Sequence, residues 1–157
     1  MATHRLHNKQ IIPVSLEETW DFFSNPSNLK HITPAHMDFK VLSEATPKVY
    51  PGQIIEYTVK PLLRIPLYWM TEITQVEHQA YFIDEQRFGP YAFWHHQHFF
   101  KSTPTGTSIE DIVHYRLPLG FLGDIAHRLF VRKQLEQIFS YRAAFIQKKW
   151  PVQTSVV

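Results

Sequence analysis

The residues of this chain that can perform chemistry are concentrated in one stretch rich in aromatic rings and histidines, residues 88–100. Alternation of side chains in a β-strand places every second residue on the same face. One face is predicted to hold Trp94, His96, His98 and Phe100, and the other Tyr91, Phe93, His95, Gln97 and Phe99. Imidazoles exchange protons near neutral pH and are common metal ligands. The stretch therefore predicts a polar site among aromatic side chains.

A partner for these histidines is predicted from the strand that follows. A short loop, residues 103–106, joins the histidine-rich strand to a final strand over residues 107–117. Pairing that is symmetric about this loop sets Phe100 opposite Ile109, His98 opposite Asp111, His96 opposite Val113 and Trp94 opposite Tyr115. A carboxylate opposite His98 would orient its ring and raise its pKa. A shift of one residue would remove this pairing.

Three interpretations of this cluster follow from the residue types. In the first, His98 or His96 acts as a general base that Asp111 orients. In the second, a buried histidine–aspartate pair fixes the strand register and performs no reaction. In the third, His96, His98 and Asp111 bind a metal ion. We expect no metal, because two ligands on one strand need a donor from a further element, and Asp111 is already the partner of His98. His95 lies on the opposite face.

The elements around this stretch follow from capping and periodicity. Residues 15–18 form a capping box, in which the Ser15 hydroxyl accepts from the third helical amide and Glu18 reaches back to the cap amide. A second short helix is predicted over Pro26–His31. Strands are predicted over residues 3–12, 37–43, 54–59, 67–77 and 80–88. Apolar residues spaced by three and four predict one continuous helix over residues 120–149.

The order of these elements predicts an α+β domain, in which one long helix lies across an antiparallel sheet of about seven strands. A gap between sheet and helix is a common site for apolar ligands. If the face that holds Trp94 is concave, the cavity wall is predicted to contain Trp69, Thr71, Phe82, Asp84, Gln86, Trp94 and His96. The alternative is that Trp69 and Trp94 fill this space and leave no cavity.

Composition narrows the class of protein. The chain has 157 residues, 44% of them hydrophobic, which predicts one domain over residues 1–151 and a disordered tail over 152–157. A net charge of +2 is too small for a nucleic-acid-binding surface, and the lack of cysteine excludes thiolate chemistry. No stretch reaches the roughly 18 apolar residues of a membrane span. We therefore expect a cytoplasmic protein. Nucleotide-binding loops and nucleophile motifs are missing, so we also expect no cofactor.

Several short segments, taken in order, resemble a known superfamily. They are residues 28–29 with 32–34, 69–73, 82–84 with 89–91, 94–100, 111–115 with 117–120, and 135–142. Their order and spacing are similar to those of the START/Bet v 1/polyketide cyclase-like (SRPBCC) superfamily, and within it to a bacterial subgroup of small ligand-binding proteins. The resemblance implies a helix-grip fold, with a curved sheet wrapped on the long helix and a hydrophobic cavity between them. The resemblance also implies an epimerase-like protein partner, since some relatives of this subgroup look fused to or encoded beside sugar-nucleotide epimerase-like proteins.

These observations lead to three hypotheses of function. The first is binding of a small hydrophobic or aromatic ligand, lipid or polyketide-like, without catalysis. Its predicted contacts are Trp69, Thr71, Phe82, Asp84, Gln86, Trp94, His96, His98, Val113, Tyr115, Ile125 and Leu129. The second is a cyclase- or dehydratase-like enzyme that uses His98 or His96 with Asp111. The third is an accessory subunit of an epimerase-like or membrane-associated partner. The superfamily includes carriers, receptors and cyclases, so function has to be argued from the site.

Overall fold

Within the residues that this computed structural model describes, 2–44, 46–60 and 65–151, seven antiparallel strands form one sheet. They are β1 (His4–Ile12), β2 (Lys40–Val41), β3 (Gln53–Val59), β4 (Leu67–Glu77), β5 (Tyr81–Phe88), β6 (Phe93–Thr103) and β7 (Gly106–Arg116). The order across the sheet is β1-β7-β6-β5-β4-β3-β2. The predicted antiparallel sheet of about seven strands is confirmed, with β1 and β2 at its edges. The expected disordered tail, residues 152–157, lies outside the described residues.

The helical elements occupy the two places where the sequence predicts them. Helix α1 (Leu16–Phe23) and two 3₁₀ turns, Pro26–His31 and Ala35–Met37, lie between β1 and β2. After β7 come helix α2 (Phe121–Ala126), a π-helical segment (His127–Val131) and helix α3 (Arg132–Lys149). None of the helices in the described part of the chain is long and apolar enough to cross a bilayer. The architecture is the predicted helix-grip arrangement of a sheet and a C-terminal helix.

The cap of α1 is confirmed in part. Ser15 Oγ accepts a hydrogen bond from the backbone N–H of Glu18 at 3.1 Å, which satisfies one of the free amides at the helix start. The Glu18 carboxylate does not complete the capping box. It accepts instead from Trp150 Nε1 at 2.7 Å, and so it joins the start of α1 to the end of α3.

The strand predicted over residues 37–43 is reduced to the two-residue β2. Asp38 has a φ of 43°, in the left-handed region that interrupts an extended strand. Met37 belongs to a 3₁₀ turn, and only Lys40 and Val41 pair with β3. Alternation of apolar residues was therefore misleading at this position, because the backbone turns at Asp38.

The C-terminal helical region runs without a break from Phe121 to Lys149, as the sequence predicts for residues 120–149. A π-helical turn within it, His127–Val131, was not expected. A π turn adds about one residue to a helical repeat, which rotates the following side chains by roughly 100° around the axis. Positions before the turn are therefore out of phase with those after it. In α3, Leu135, Phe139 and Ile146 are buried against the sheet.

The register of the β6–β7 hairpin is the predicted one. His98 pairs with Asp111, His96 with Val113, Trp94 with Tyr115 and Phe100 with Ile109. These side chains face the helices. Trp94, Val113 and Tyr115 share one buried cluster with Leu135 and Phe139 of α3, and Phe100 and Ile109 share another with Trp20 and Ile146. The face that holds Trp94 is thus the inner one, as the predicted cavity requires.

Candidate functional site

A cavity of about 430 Å³ lies between the inner face of the sheet and the C-terminal helical region. Most of its wall is apolar, and the second half of the helical region contributes Val131, Leu135, Ile138 and Phe139. Seven residues predicted from the sequence line it: Trp69, Thr71, Phe82, Asp84, Trp94, His96 and His98. The alternative in which Trp69 and Trp94 fill this space is therefore wrong.

Gln86 was predicted to line the cavity, but it closes the turn between β5 and β6 instead. Its side-chain Nε2 donates to the Tyr91 carbonyl at 2.7 Å, and its Oε1 accepts from the Tyr91 N–H at 3.2 Å. Gly89 makes this approach possible, because a Cβ at that position would lie 2.5 Å from Gln86 Oε1. Both polar ends of the Gln86 amide are occupied by the backbone, so they are not presented to the cavity.

Tyr91 lines the cavity, although the sequence predicts Gln86 at the wall and Tyr91 on the outer face. The simple alternation placed Tyr91 on the outer face, but β6 begins only at Phe93, so the alternation does not extend back to Tyr91. Its ring lies 5.3 Å from Trp69, 4.8 Å from Trp94 and 5.9 Å from Tyr115. Together with Tyr57, these rings form an aromatic end of the cavity.

Four further predicted contacts do not line the cavity. Val113 and Tyr115 are 1% and 2% exposed and belong to the core behind Trp94. Ile125 and Leu129 are 49% and 61% exposed. The phase change at the π-helical turn explains Ile125 and Leu129, since it turns them away from the face that α3 presents to the sheet, whereas Leu122 remains on the cavity wall.

The predicted histidine pair lies between two carboxylates on the cavity wall. Asp84 Oδ2 is 2.8 Å from His98 Nε2 and 3.4 Å from His96 Nδ1. On the other side of the rings, Asp111 Oδ1 is 3.1 Å from His96 Nε2 and 2.9 Å from His98 Nδ1. The last contact is ionic, because it lacks the alignment of a hydrogen bond. The predicted proximity of His98 and Asp111 is confirmed.

A buried arginine completes this network. Arg142 Nη1 donates to Asp111 Oδ1 at 3.0 Å, and its guanidinium lies 4.8 Å from the centre of the Phe23 ring. Arg142 is 6% exposed and Asp111 2%, so water cannot screen their charges. A buried carboxylate needs such a partner.

The two histidines have opposite pKa shifts. Burial lowers the pKa of His96, and the neighbouring His98 lowers it further. Burial also acts to lower the pKa of His98, but its contacts with Asp111 and Asp84 outweigh this and raise it. For Asp111, burial acts to raise the pKa, whereas Arg142 and the histidines hold it well below its usual value. With His98 protonated and His96 neutral, the charges of the cluster balance.

Sequence reasoning missed Asp84 and Arg142 as members of this network. Asp84 was assigned to the cavity wall, but its contact with the histidines depends on the pairing of β5 with β6, in which Asp84 lies opposite His96. Arg142 had a signal in the sequence. It falls within the spacing of Leu135, Phe139 and Ile146, and a cation in the apolar face of a helix predicts a buried carboxylate partner.

Three buried nitrogens of residues on the cavity wall have no hydrogen-bond partner among the described residues: Trp69 Nε1, Arg142 Nη2 and His98 Nδ1. The first two always carry a hydrogen and are therefore donors. A buried donor without an acceptor costs about 1–3 kcal/mol. A bound molecule with an oxygen at either position would remove this cost.

No protein-family model and no curated protein sequence matches this chain. Its fold, however, is similar to that of solved structures. An uncharacterized protein from Rhizobium leguminosarum has a TM-score of 0.67 at 13% identity, with 94% of this chain and 96% of that chain covered. A protein from Thermus thermophilus has a TM-score of 0.68 at 11% identity, covering 93% and 96%.

Norcoclaurine synthase from Thalictrum flavum, in complex with dopamine and hydroxybenzaldehyde, is also similar. The TM-score is 0.63 at 13% identity, with 94% of this chain and 88% of that chain covered. Identities this low concern the fold alone, and one fold carries many functions. The chain therefore has a Bet v 1-like helix-grip fold.

Proposed function

We propose that this protein binds a small, largely apolar ligand in the cavity between the sheet and the C-terminal helical region. The observation that carries this proposal is the cavity of about 430 Å³ with its mostly apolar wall. Binding pockets for small molecules commonly measure about 300–1,000 Å³ and combine apolar walls with a few polar groups. The helix-grip fold is compatible with this role.

The wall favours an aromatic or polyketide-like ligand with at least one oxygen. Rings of Tyr57, Trp69, Tyr91 and Trp94 form one end of the cavity, and flat ligands stack well against such rings. The unpaired donor Trp69 Nε1 lies at this end, and Arg142 Nη2 lies in the polar network. A ligand with an oxygen near either donor would gain a hydrogen bond to a group that is already desolvated.

Obstruction of the cavity tests the proposal. Ile138 lines the cavity, whereas Ile125, in the first part of the same helical region, is 49% exposed. We expect Ile138→Trp to weaken binding of the fluorescent probe 1-anilinonaphthalene-8-sulfonate at least about tenfold, or about 1.4 kcal/mol. Ile125→Trp is the matched control and should leave the affinity unchanged. Equal affinity of the wild type and Ile138→Trp would contradict the proposal.

Native mass spectrometry of protein purified from its own host gives a second test. We expect a small molecule to be retained by the wild type and lost from Ile138→Trp. A chain that carries no small molecule under any purification condition, and that also fails to bind the probe, would not have this function.

A second candidate is a cyclase- or dehydratase-like enzyme. The observation that favours it is the position of His98 on the cavity wall, with Asp84 2.8 Å from its Nε2, because an oriented imidazole can transfer protons to and from a bound molecule. If it is an enzyme, wild type and His98→Gln purified from the host should retain different molecules, since the variant keeps the unconverted substrate. A dehydration is seen as a difference in mass, and a cyclisation that conserves mass as a difference in chromatographic retention. Identical retained molecules would contradict catalysis and leave ligand binding intact.

A further inference from the structure

We propose that Asp84, His96 and His98 bind a divalent first-row transition-metal ion at the edge of the cavity. One ligand atom from each of the three residues lies within 4.8 Å of the others. The sequence led us to expect no metal, because the only donor from a further element, Asp111, is already the partner of His98. In the structure, β5 supplies Asp84 beside the two histidines of β6. This inference does not depend on the identity of the apolar ligand, or on its existence.

The distances are close to those of a coordination site. Asp84 Oδ2 is 2.8 Å from His98 Nε2 and 3.4 Å from His96 Nδ1. Atoms that each lie about 2.1 Å from one ion are separated by roughly 3.0–3.4 Å. One ligand atom from each residue lies within 4.8 Å of the others, so rotation of the rings would bring the three atoms into contact with one ion.

The surroundings of the two rings match those of metal-binding histidines. Such a histidine usually directs its second ring nitrogen at a carboxylate or carbonyl, which fixes the ring and the tautomer. Here Asp111 Oδ1 lies close to both rings, at 3.1 Å from His96 Nε2 and 2.9 Å from His98 Nδ1. Asp111 accepts a hydrogen bond from His96 Nε2, which leaves His96 Nδ1 with the lone pair that binds a metal. At His98, the ion would replace the proton on Nε2 that Asp84 accepts.

Neighbouring rings hold the three ligands in place. The Phe82 ring stacks on His98 at 4.1 Å, and Trp94 Nε1 lies 3.4 Å from the second oxygen of Asp84. All three ligands line the cavity, so an ion bound by them would keep open positions on that side. Two histidines and one carboxylate with open positions suit Fe²⁺, Co²⁺ or Zn²⁺.

The charge of the network also favours a cation. When both histidines are neutral, Asp84 and Asp111 carry two negative charges and Arg142 only one positive charge. A divalent ion at the ligand cluster would change the net charge from −1 to +1, whereas a proton on His98 would bring it to zero. The experiment below separates these two alternatives.

Titration of tag-free protein with Co²⁺, followed by its visible absorption, tests the site. We expect one equivalent to bind to the wild type, and the affinity to fall at least about a hundredfold in Asp84→Asn and in His96→Gln. Two matched controls come from the outer face of the same strands. Glu85→Gln and His95→Gln remove the same functional groups one residue away, where His95 contacts Glu85, and should bind Co²⁺ as the wild type does.

Nitrogen NMR of the wild type with Zn²⁺ gives a test that needs no variant. We expect the ring resonances of His96 and His98 to shift in proportion to the added ion, and those of His95 to stay unchanged. The proposal is overturned if the wild type binds neither ion, or if Asp84→Asn binds Co²⁺ as well as the wild type does. In those cases the network holds a proton in place of a metal, and the proposed binding of an apolar ligand still stands.

Discussion

The two faces of β6 carry the same kinds of side chain in different surroundings. On the inner face, His96 and His98 lie between Asp84 and Asp111, with side chains 10% and 9% exposed. On the outer face, His95 Nδ1 lies 2.8 Å from Glu85 Oε1, and its side chain is 25% exposed. Each histidine therefore has a carboxylate partner, and the main difference is access to water.

A histidine–carboxylate pair therefore does not by itself identify a functional site. Outside, water and ions screen the pair, and the two charges need no further partner. Inside, each charge must be matched by the protein, so Arg142 is directed at Asp111 and the pKa values of His96 and His98 shift in opposite directions. Burial makes the inner cluster a candidate site.

Removal of a cation from each environment should give the largest difference in stability. Arg142→Met leaves Asp111 buried without its cation, and we expect the free energy of unfolding to fall by about 3–5 kcal/mol. The outer variant Arg87→Met removes a cation that contacts Glu72 and Glu85 at the surface, at an expected cost below about 1 kcal/mol. Urea denaturation measures both, and equal losses would show that burial does not distinguish the two environments.

Removal of an aromatic ring from each face should have the next largest effect. Phe100 is 5% exposed and lies 5.3 Å from the Trp20 ring, so we expect Phe100→Ala to cost about 3 kcal/mol. Phe99 lies on the outer face beside Tyr81, and Phe99→Ala should cost about 1 kcal/mol or less. Thermal or urea unfolding of both variants measures the two losses of stability. A larger loss for Phe99→Ala would mean that the outer face is covered by another molecule.

The smallest expected effect is a change in the pKa of a histidine on the outer face, His114. Partial burial lowers the pKa of His114, and the nearby charges of Arg5 and His95 lower it further. We expect its NMR titration midpoint to lie below the usual 6.5 and to rise in Arg5→Met, because removal of a positive charge makes protonation easier. An unchanged midpoint in that variant would leave burial and the charge of His95 as the causes.

The features that the sequence determined are local. The short loop between β6 and β7 set their register, so the pairing of His98 with Asp111 could be predicted from counting alone. Ser15 at the start of α1 was also recognisable. In both cases the partners are close in the chain or joined by a short turn, and few alternative pairings exist.

The members of the inner network were decided by the tertiary structure. Asp84 meets the histidines because β5 pairs with β6, and irregularities in the neighbouring β4–β5 ladder make the registers around it hard to count from sequence. The position of Arg142 depends on how the C-terminal helical region crosses the sheet. The π-helical turn turned Ile125 and Leu129 outward, and no local pattern of apolar residues reveals such a turn. Contacts between distant elements follow from the packing of the whole chain, and side-chain periodicity describes only one element at a time.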